Sequence, residues 1–146
     1  MKHVSRSALM PFTSMQMFDV VNDVARYQEF LPWCSASDIL SKDAGVMLAR
    51  LTIAKGGVSQ QFTTRNTFTE PDAIDLHLVD GPFSTLDGRW RFQALGVDGC
   101  KIEMSLRFEM NSRILGAMLG KVFEQAADTL VDAFCRRAEQ LYQSPR

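Results

Sequence analysis

The sequence predicts an α+β fold in which a curved antiparallel sheet wraps around one long C-terminal helix, with two short helices after the first strand. Three observations predict it. Between Met47 and Met110, apolar residues recur at every second position in runs separated by short turns. From Asn111 to about Tyr142 they recur at every third or fourth position without interruption. Between the opening strand and the alternating runs lie two brief helical stretches, bounded by Pro11 and Pro32.

Val4–Met10 reads as a strand ended by Pro11. Thr13 or Ser14 then offers a helix cap, because a side-chain oxygen there accepts from the free N–H groups of the first turn. Met15, Phe18, Val21 and Val24 follow at helical spacing. Asn22-Asp23 breaks this helix, and a second short one carries Val24, Tyr27, Phe30 and Leu31 up to Pro32, which disfavours helix in the residue before it.

After Cys34 the period becomes two. Met47, Ala49, Leu51 and Ile53 are placed inward, with Leu48, Arg50 and Thr52 outward, and Gly56-Gly57 reads as a tight turn. Phe62, Thr64, Asn66 and Phe68 alternate with Gln61, Thr63, Arg65 and Thr67, and Pro71-Asp72 turns the chain. Ile74, Leu76 and Leu78 come next, then Leu86, Gly88, Trp90 and Phe92, then Ile102, Met104, Leu106, Phe108 and Met110. Short turns between alternating strands imply an antiparallel meander, six or seven strands in all, with one apolar and one wet face. Asn111-Ser112 caps the last helix, whose apolar stripe includes Leu115, Met118, Leu119, Val122, Phe123, Ala126, Leu130 and Phe134.

A sheet of about six strands at ~4.8 Å spacing is far wider than a helix about 10 Å across. The sheet is therefore expected to curl, because exposed apolar area is penalised at about 25 cal/mol per Å². A curled sheet leaves either a cleft or a gap filled by large side chains. Eight Met and ten Phe are many for this length. Met10, Met47, Met104, Met110 and Met118, with Phe62, Phe68, Phe92, Phe108 and Phe123, are assigned to inward faces. Each singly reads as core, and the set reads as the lining of an apolar pocket, since methionine suits irregular, adaptable surfaces.

Composition limits function. The chain has 146 residues and 16.4 kDa, the size of one domain spanning 1–146. Sixteen Lys and Arg against 17 Asp and Glu give a net charge of −1. That balance lacks the bulk signature of a nucleic-acid binder, and no DNA partner is expected, although a local basic patch would survive it. No apolar run approaches the ~20 residues of a membrane span, and Met1–Arg6 lacks the apolar segment of a signal peptide. A cytoplasmic protein is expected. Cys34, Cys100 and Cys135 are widely spaced, and His3 and His77 are the two histidines, so no zinc-type ligand set exists and reduced thiols are expected.

Several segments carry a resemblance that covers essentially the whole chain. They are Val20-Val21-Asn22-Asp23-Val24 leading to Tyr27 and Phe30-Leu31-Pro32-Trp33-Cys34, then Phe62-Thr63-Thr64-Arg65-Asn66, Leu78-Val79-Asp80-Gly81-Pro82-Phe83 and Leu86-Asp87-Gly88-Arg89-Trp90-Arg91-Phe92. They resemble the coenzyme Q-binding and ribosome-association-toxin branch of the START-like superfamily. The element order is similar to the helix-grip fold of START-type lipid-transfer domains, Bet v 1-like proteins and polyketide cyclases. Asp-Gly-Pro-Phe followed by Gly-x-Trp-x-Phe is the most specific part. The resemblance implies one of two roles. The first is binding of ubiquinone or a related isoprenoid lipid in support of respiration. The second is association with the large ribosomal subunit, blocking subunit association. The branch looks bacterial here, which keeps both open and adds transient contact with the inner membrane to the first.

The expected ligand-contacting residues are Phe62, Asn66, Leu76, Leu78, Phe83, Trp90, Phe92, Met104, Phe108, Met118, Val122, Phe123 and Ala126. Thr64 and Asn66 are polar on an apolar face, and meet either a backbone group or a ligand head-group oxygen. Asp80–Phe83 is either a rigid turn or a lip over the cavity. Tyr27–Trp33 is either a second staple on the core or a rim through which a lipid enters. Gly116 and Gly120 signal either close helix–sheet approach or a loosely formed lid. On the wet face, Arg65, Arg89, Arg91 and Arg107 are the candidates for ribosomal RNA, with cross-strand ion pairs as the ordinary alternative. No nucleophile–base pair and no inward general base is visible, so no catalytic activity and no required cofactor are expected.

Overall fold

Alternation and helical period translate directly into elements in the computed structural model, which describes residues 1–55 and 57–142. In chain order these are β1 (Lys2–Met10), α1 (Ser14–Asn22), a 3₁₀ turn (Val24–Arg26), α2 (Tyr27–Phe30), β2 (Cys34–Asp43), β3 (Val46–Lys55), β4 (Val58–Thr69), β5 (Ala73–Asp80), β6 (Phe83–Leu95), β7 (Gly99–Met110) and α3 (Arg113–Tyr142). Seven strands form one antiparallel sheet in the order β1-β7-β6-β5-β4-β3-β2. Helices α1 and α3 lie on its concave face, α3 against β1, β7 and α1. This is the helix-grip architecture.

Thr13 caps α1: its Oγ1 accepts from the Gln16 N–H at 3.1 Å, while the Gln16 side chain accepts from the Thr13 N–H at 2.8 Å. This reciprocal box supplies partners for two N–H groups that the helix itself leaves unpaired. The buried stripe of α1 is Met17, Phe18, Val20 and Val21. Met15, expected inward, is 40% exposed instead; the inward face is displaced toward Met17. At the other end of the fold, the Ser112 hydroxyl accepts from the Leu115 N–H at 3.4 Å, and α3 runs unbroken for 30 residues.

Strand β2 has no alternating signature because it is an edge strand whose residues beyond Ser37 are exposed. Two threonines expected on the wet face, Thr52 and Thr63, are buried. Thr63 sits at an irregularity in the β4–β5 pairing, where Thr63 faces Asp80 and Thr64 already faces Leu78. One extra residue in β5 disrupts the strict period at this point. Of the Gly56-Gly57 turn, Gly56 lies outside the described residues, and Gly57 has φ +82°.

The Gly81-Pro82 segment is a rigid turn. Gly81 has φ +149°, and a Cβ there would lie 2.6 Å from Cβ of Phe62. The Pro82 carbonyl accepts from the Asn111 N–H at 3.0 Å, tying the β5–β6 turn to the end of β7. The close-approach reading of the α3 glycines fails: a Cβ at Gly120 meets nothing within 4 Å, and one at Gly116 meets Met110 at an ordinary 3.7 Å. Gly81→Ala is therefore expected to lower unfolding free energy by about 1–3 kcal/mol, through strain and overlap with Phe62. Denaturant unfolding checks this, and an unchanged midpoint would contradict it.

Candidate functional site

Two aromatic clusters fix α3 to the sheet. Phe123 contacts Phe108, Phe83 and Phe62, with ring centroids 4.6, 4.9 and 5.8 Å away. Phe134 contacts Tyr27, Trp90 and Phe30 at 5.2, 5.3 and 5.6 Å. Such pairs contribute about 0.5–1.5 kcal/mol beyond their buried area. The second cluster also holds α2, where Arg137 lies 5.0 Å over the Phe30 ring and bonds Glu29 at 3.3 Å. Between the two anchors α3 presents Ala126, Ala127 and Leu130. Small residues opposite a curved sheet leave space, and a cavity of about 90 Å³ lies there.

Its wall is formed by α3 on one side, by Val21, Asn22, Val24 and Tyr27 at the end of α1 and beyond, and by the concave faces of β3 to β7. Of the residues expected from sequence, Phe62, Asn66, Leu76, Trp90, Met104, Phe123 and Ala126 line it. The others do not. Phe83 and Phe108 are consumed in the first aromatic cluster, so Phe83 is core and not a lip. Phe92 stacks on Trp90 at 6.4 Å and packs edge-on against Phe18, one layer further out. Leu78 packs on the core beyond the cavity wall. Val122 lines an outer groove with Pro32, Trp33 and Ala54. Met118 is 51% exposed and belongs to no wall; the buried side chain of that turn is Leu119.

The Tyr27–Trp33 region divides between its two readings. Tyr27, Phe30 and Leu31 are packed into the core, while Pro32 is exposed and Trp33 reaches both the cavity and the outer groove. Absent from the residues expected to meet a ligand, yet on the wall, are Val21, Asn22 and Val24 at the end of α1 and beyond, Ala49, Leu51, Ile74, Leu86 and Leu106 on the sheet, and Ala127, Leu130 and Phe134 on α3. A usable signal was the polar Asn22 directly after the apolar Val20-Val21 pair of a short helix.

Polar groups on this wall are few. The Thr64 hydroxyl donates to Asn66 Oδ1 at 2.7 Å, so the two inward polar residues meet each other. The Tyr27 hydroxyl donates to the Val21 carbonyl, and burial pushes its phenol far above the ordinary range. Oδ1 of Asn22 is buried with no hydrogen-bond partner among the described residues. Among the described residues no carboxylate, histidine, lysine, arginine or cysteine is on the wall. Among the described residues no three His, Cys, Asp or Glu side chains converge as a metal site. The three cysteines are free thiols, and burial pushes Cys34 and Cys135 up to about 11.

On the convex face, Arg107 makes a two-point contact with Asp87 at 2.9 and 3.0 Å, and Arg89 lies 3.4 Å from Asp75. These are the cross-strand pairs expected of a solvated face. Arg65 and Arg91 have no carboxylate within 4 Å among the described residues. Arg89, Arg91 and Lys101 line a shallow groove of about 340 Å³, shared with Ser5, Ser7 and Glu103. No helix is long and apolar enough, among the described residues, to cross a membrane.

Comparison with known proteins agrees with this fold. The family model described as polyketide cyclase / dehydrase and lipid transport matches residues 10–135. The ribosome association toxin RatA of Pseudomonas aeruginosa is 52% identical over 96% of this chain and 97% of its own. A mitochondrial coenzyme Q-binding protein, COQ10 homolog B of Xenopus laevis, is 31% identical over 94% of this chain and 58% of its own. In structure, the Zhui aromatase/cyclase of Streptomyces sp. R1128 superposes with a TM-score of 0.82, at 19% identity, covering 95% of this chain and 94% of that one. The chain belongs to the polyketide cyclase / dehydrase and lipid transport family and, within it, to the branch that joins RatA proteins with coenzyme Q-binding COQ10 homologues.

Proposed function

We propose that the protein binds an apolar, ring-bearing lipid of the ubiquinone class in the cavity between α3 and the sheet, without transforming it. The observation that carries this reading is the wall itself, apolar almost throughout with a few amide and hydroxyl groups among its side chains. Small-molecule sites have this composition, with burial supplying affinity and a few polar groups supplying orientation. Each buried CH₂ contributes about 0.8 kcal/mol, so a ring and a few isoprene carbons suffice for useful affinity. Turnover requires a nucleophile or a general acid or base near the ligand, and the one titratable side chain on the wall among the described residues, Tyr27, has its proton engaged by the Val21 carbonyl. Carriage or sensing of the lipid in support of respiration fits such a wall better than catalysis, and no further cofactor enters the proposal. The exposed Pro32, Met118 and Ile114 beside the outer groove suit transient contact with a membrane surface.

Both tryptophans, Trp33 and Trp90, are on the wall, so a quinone entering the cavity quenches the intrinsic fluorescence. Ala126→Phe fills the space from the helix side. Titration with a short-tailed ubiquinone is expected to show affinity reduced by at least about tenfold in this variant, equivalent to about 1.4 kcal/mol, with thermal unfolding little changed. Wild-type affinity in a folded Ala126→Phe protein would contradict the site.

A second activity is favoured by the kinship with RatA. We propose that the convex face associates with the large ribosomal subunit and hinders subunit joining, using Arg65 and Arg91, the two candidate arginines without a carboxylate partner. Backbone phosphate contacts make such binding salt-dependent. Co-sedimentation with large subunits is expected at low salt and is lost at high salt or in Arg65→Glu/Arg91→Glu. Absence of co-sedimentation at low salt would contradict it.

A further inference from the structure

Five side chains form one row across the convex face, each opposite the next in the strand pairing. His3 on β1 faces Arg107 on β7, Arg107 faces Asp87 on β6, Asp87 faces His77 on β5, and His77 faces Arg65 on β4. Four strand spacings of ~4.8 Å make the row about 19 Å long. Alternation sets all five away from α3, since the next residues along their strands, among them Val4, Phe108, Leu86 and Asn66, are buried on the concave side. His3, His77, Arg65 and Arg107 are exposed. The chain has two histidines in all, and both stand in this row.

The carboxylates around the two imidazoles are already committed. Asp87 meets Arg107 at two points, 2.9 and 3.0 Å. Asp75, two residues from His77 on β5, lies 3.4 Å from Arg89 of β6. On β4, Arg65 stands between Thr63 and Thr67. Beside His3, Arg107 of β7 stands between Ser105 and Glu109, and Glu109 lies 3.7 Å from the chain's N-terminal ammonium. Helix α3, packed against β1, offers Glu124 and Asp128, which pair with Lys2 and Arg6. Among the described residues neither His3 nor His77 has a carboxylate within 4 Å.

Imidazole is the side chain whose charge changes between about pH 5 and 8. With neutral imidazoles, two arginines against one aspartate give the row a charge of +1; two protonated imidazoles raise it to +3. We infer that association of the convex face with the large ribosomal subunit is linked to proton uptake, with this row as a phosphate-binding ridge that His3 and His77 strengthen as pH falls. This rests on the ribosome reading above and names the side chains and the protonation state that serve it. The sign follows from linkage: a polyanion binds the protonated row more tightly, so binding takes up protons and affinity rises as pH drops. Each further phosphate neutralised displaces about one counterion, so two imidazolium groups steepen the salt dependence by about one to two in log–log slope.

The inference is tested by co-sedimentation with purified large ribosomal subunits at about pH 6 and about pH 8, either side of the imidazole range. A series of salt concentrations is used, for the wild type and for His3→Gln/His77→Gln. Wild-type affinity is expected to be higher at the lower pH by on the order of tenfold at low salt, with the steeper salt slope given above. The double variant is expected to lose most of that ratio and of the change in slope. Both proteins meet the same subunits, so titration of the subunits themselves enters both ratios alike. Wild-type affinity that does not rise at the lower pH, or an equal ratio in wild type and variant, overturns the inference and leaves ribosome association standing. Absence of wild-type co-sedimentation at both pH values and low salt overturns the ribosome reading, and the inference with it. The wild-type salt slopes at the two pH values need no variant, so an unchanged slope overturns the inference even where the double variant does not fold.

Discussion

A seven-stranded sheet is about 34 Å wide at ~4.8 Å per strand, and one helix is about 10 Å across. Much of this structure follows from that mismatch. The apolar face of the sheet can be removed from water only if it curls, and curling brings β1 and β7 up against α3 while the middle strands bow away from it. Helix α1 and the Tyr27–Leu31 segment cover the part of the sheet that α3 cannot reach. The cavity is what remains of the mismatch after the helices have been placed.

How α3 is held decides where the cavity lies. Phe123 and Phe134 are eleven residues apart, roughly 16 Å along the axis, and each is locked by three aromatic partners. The alanines between them leave the space between helix and sheet unfilled. Before Phe123 the grip loosens: Leu119 is the one fully buried side chain from Arg113 to Val122, while Ile114 and Met118 face outward. Gly116 and Gly120 fall in this stretch without a close contact to require them, and glycine weakens a helix interior by about 1 kcal/mol relative to alanine. The first turns of α3 are therefore its least constrained part, and the cavity lies beyond them, between the two firmly held positions.

The strands and α3 were legible because period two and period 3.6 are imposed on the sequence by burial, and Phe62, Asn66, Leu76, Trp90 and Met104 could be assigned inward on that basis. Alternation reports the face of the sheet, not the distance from the helix. Phe83, Phe92 and Phe108 share the inward face with Trp90 and yet are sealed in core layers, since what separates wall from core is the position of Phe123 and Phe134. Met118 was placed on the helical stripe of Phe123, but the buried side of that turn is Leu119, so Met118 faces outward. Strand β2 was not legible at all, because an edge strand with both faces wet has no reason to alternate. The exception at Thr63 came from one extra residue in a partner strand, and no local pattern within β4 records that.

The interior and the convex surface are separable. The cavity is apolar and faces α3, whereas the arginines that lack a carboxylate partner lie on the other side of the same strands, so a ligand inside and a macromolecule outside do not compete for side chains. Family membership on both the RatA and the COQ10 side is consistent with one fold offering two surfaces. Everything proposed for the interior depends on the gap between sheet and helix holding a quinone-type lipid. That occupancy is tested most directly by purifying the protein without detergent, extracting it with organic solvent and identifying the extract by mass spectrometry. A prenylated quinone in near-equal amount to the protein is the expected result. An extract free of such lipid, from protein that also fails to take one up when it is supplied, would contradict it.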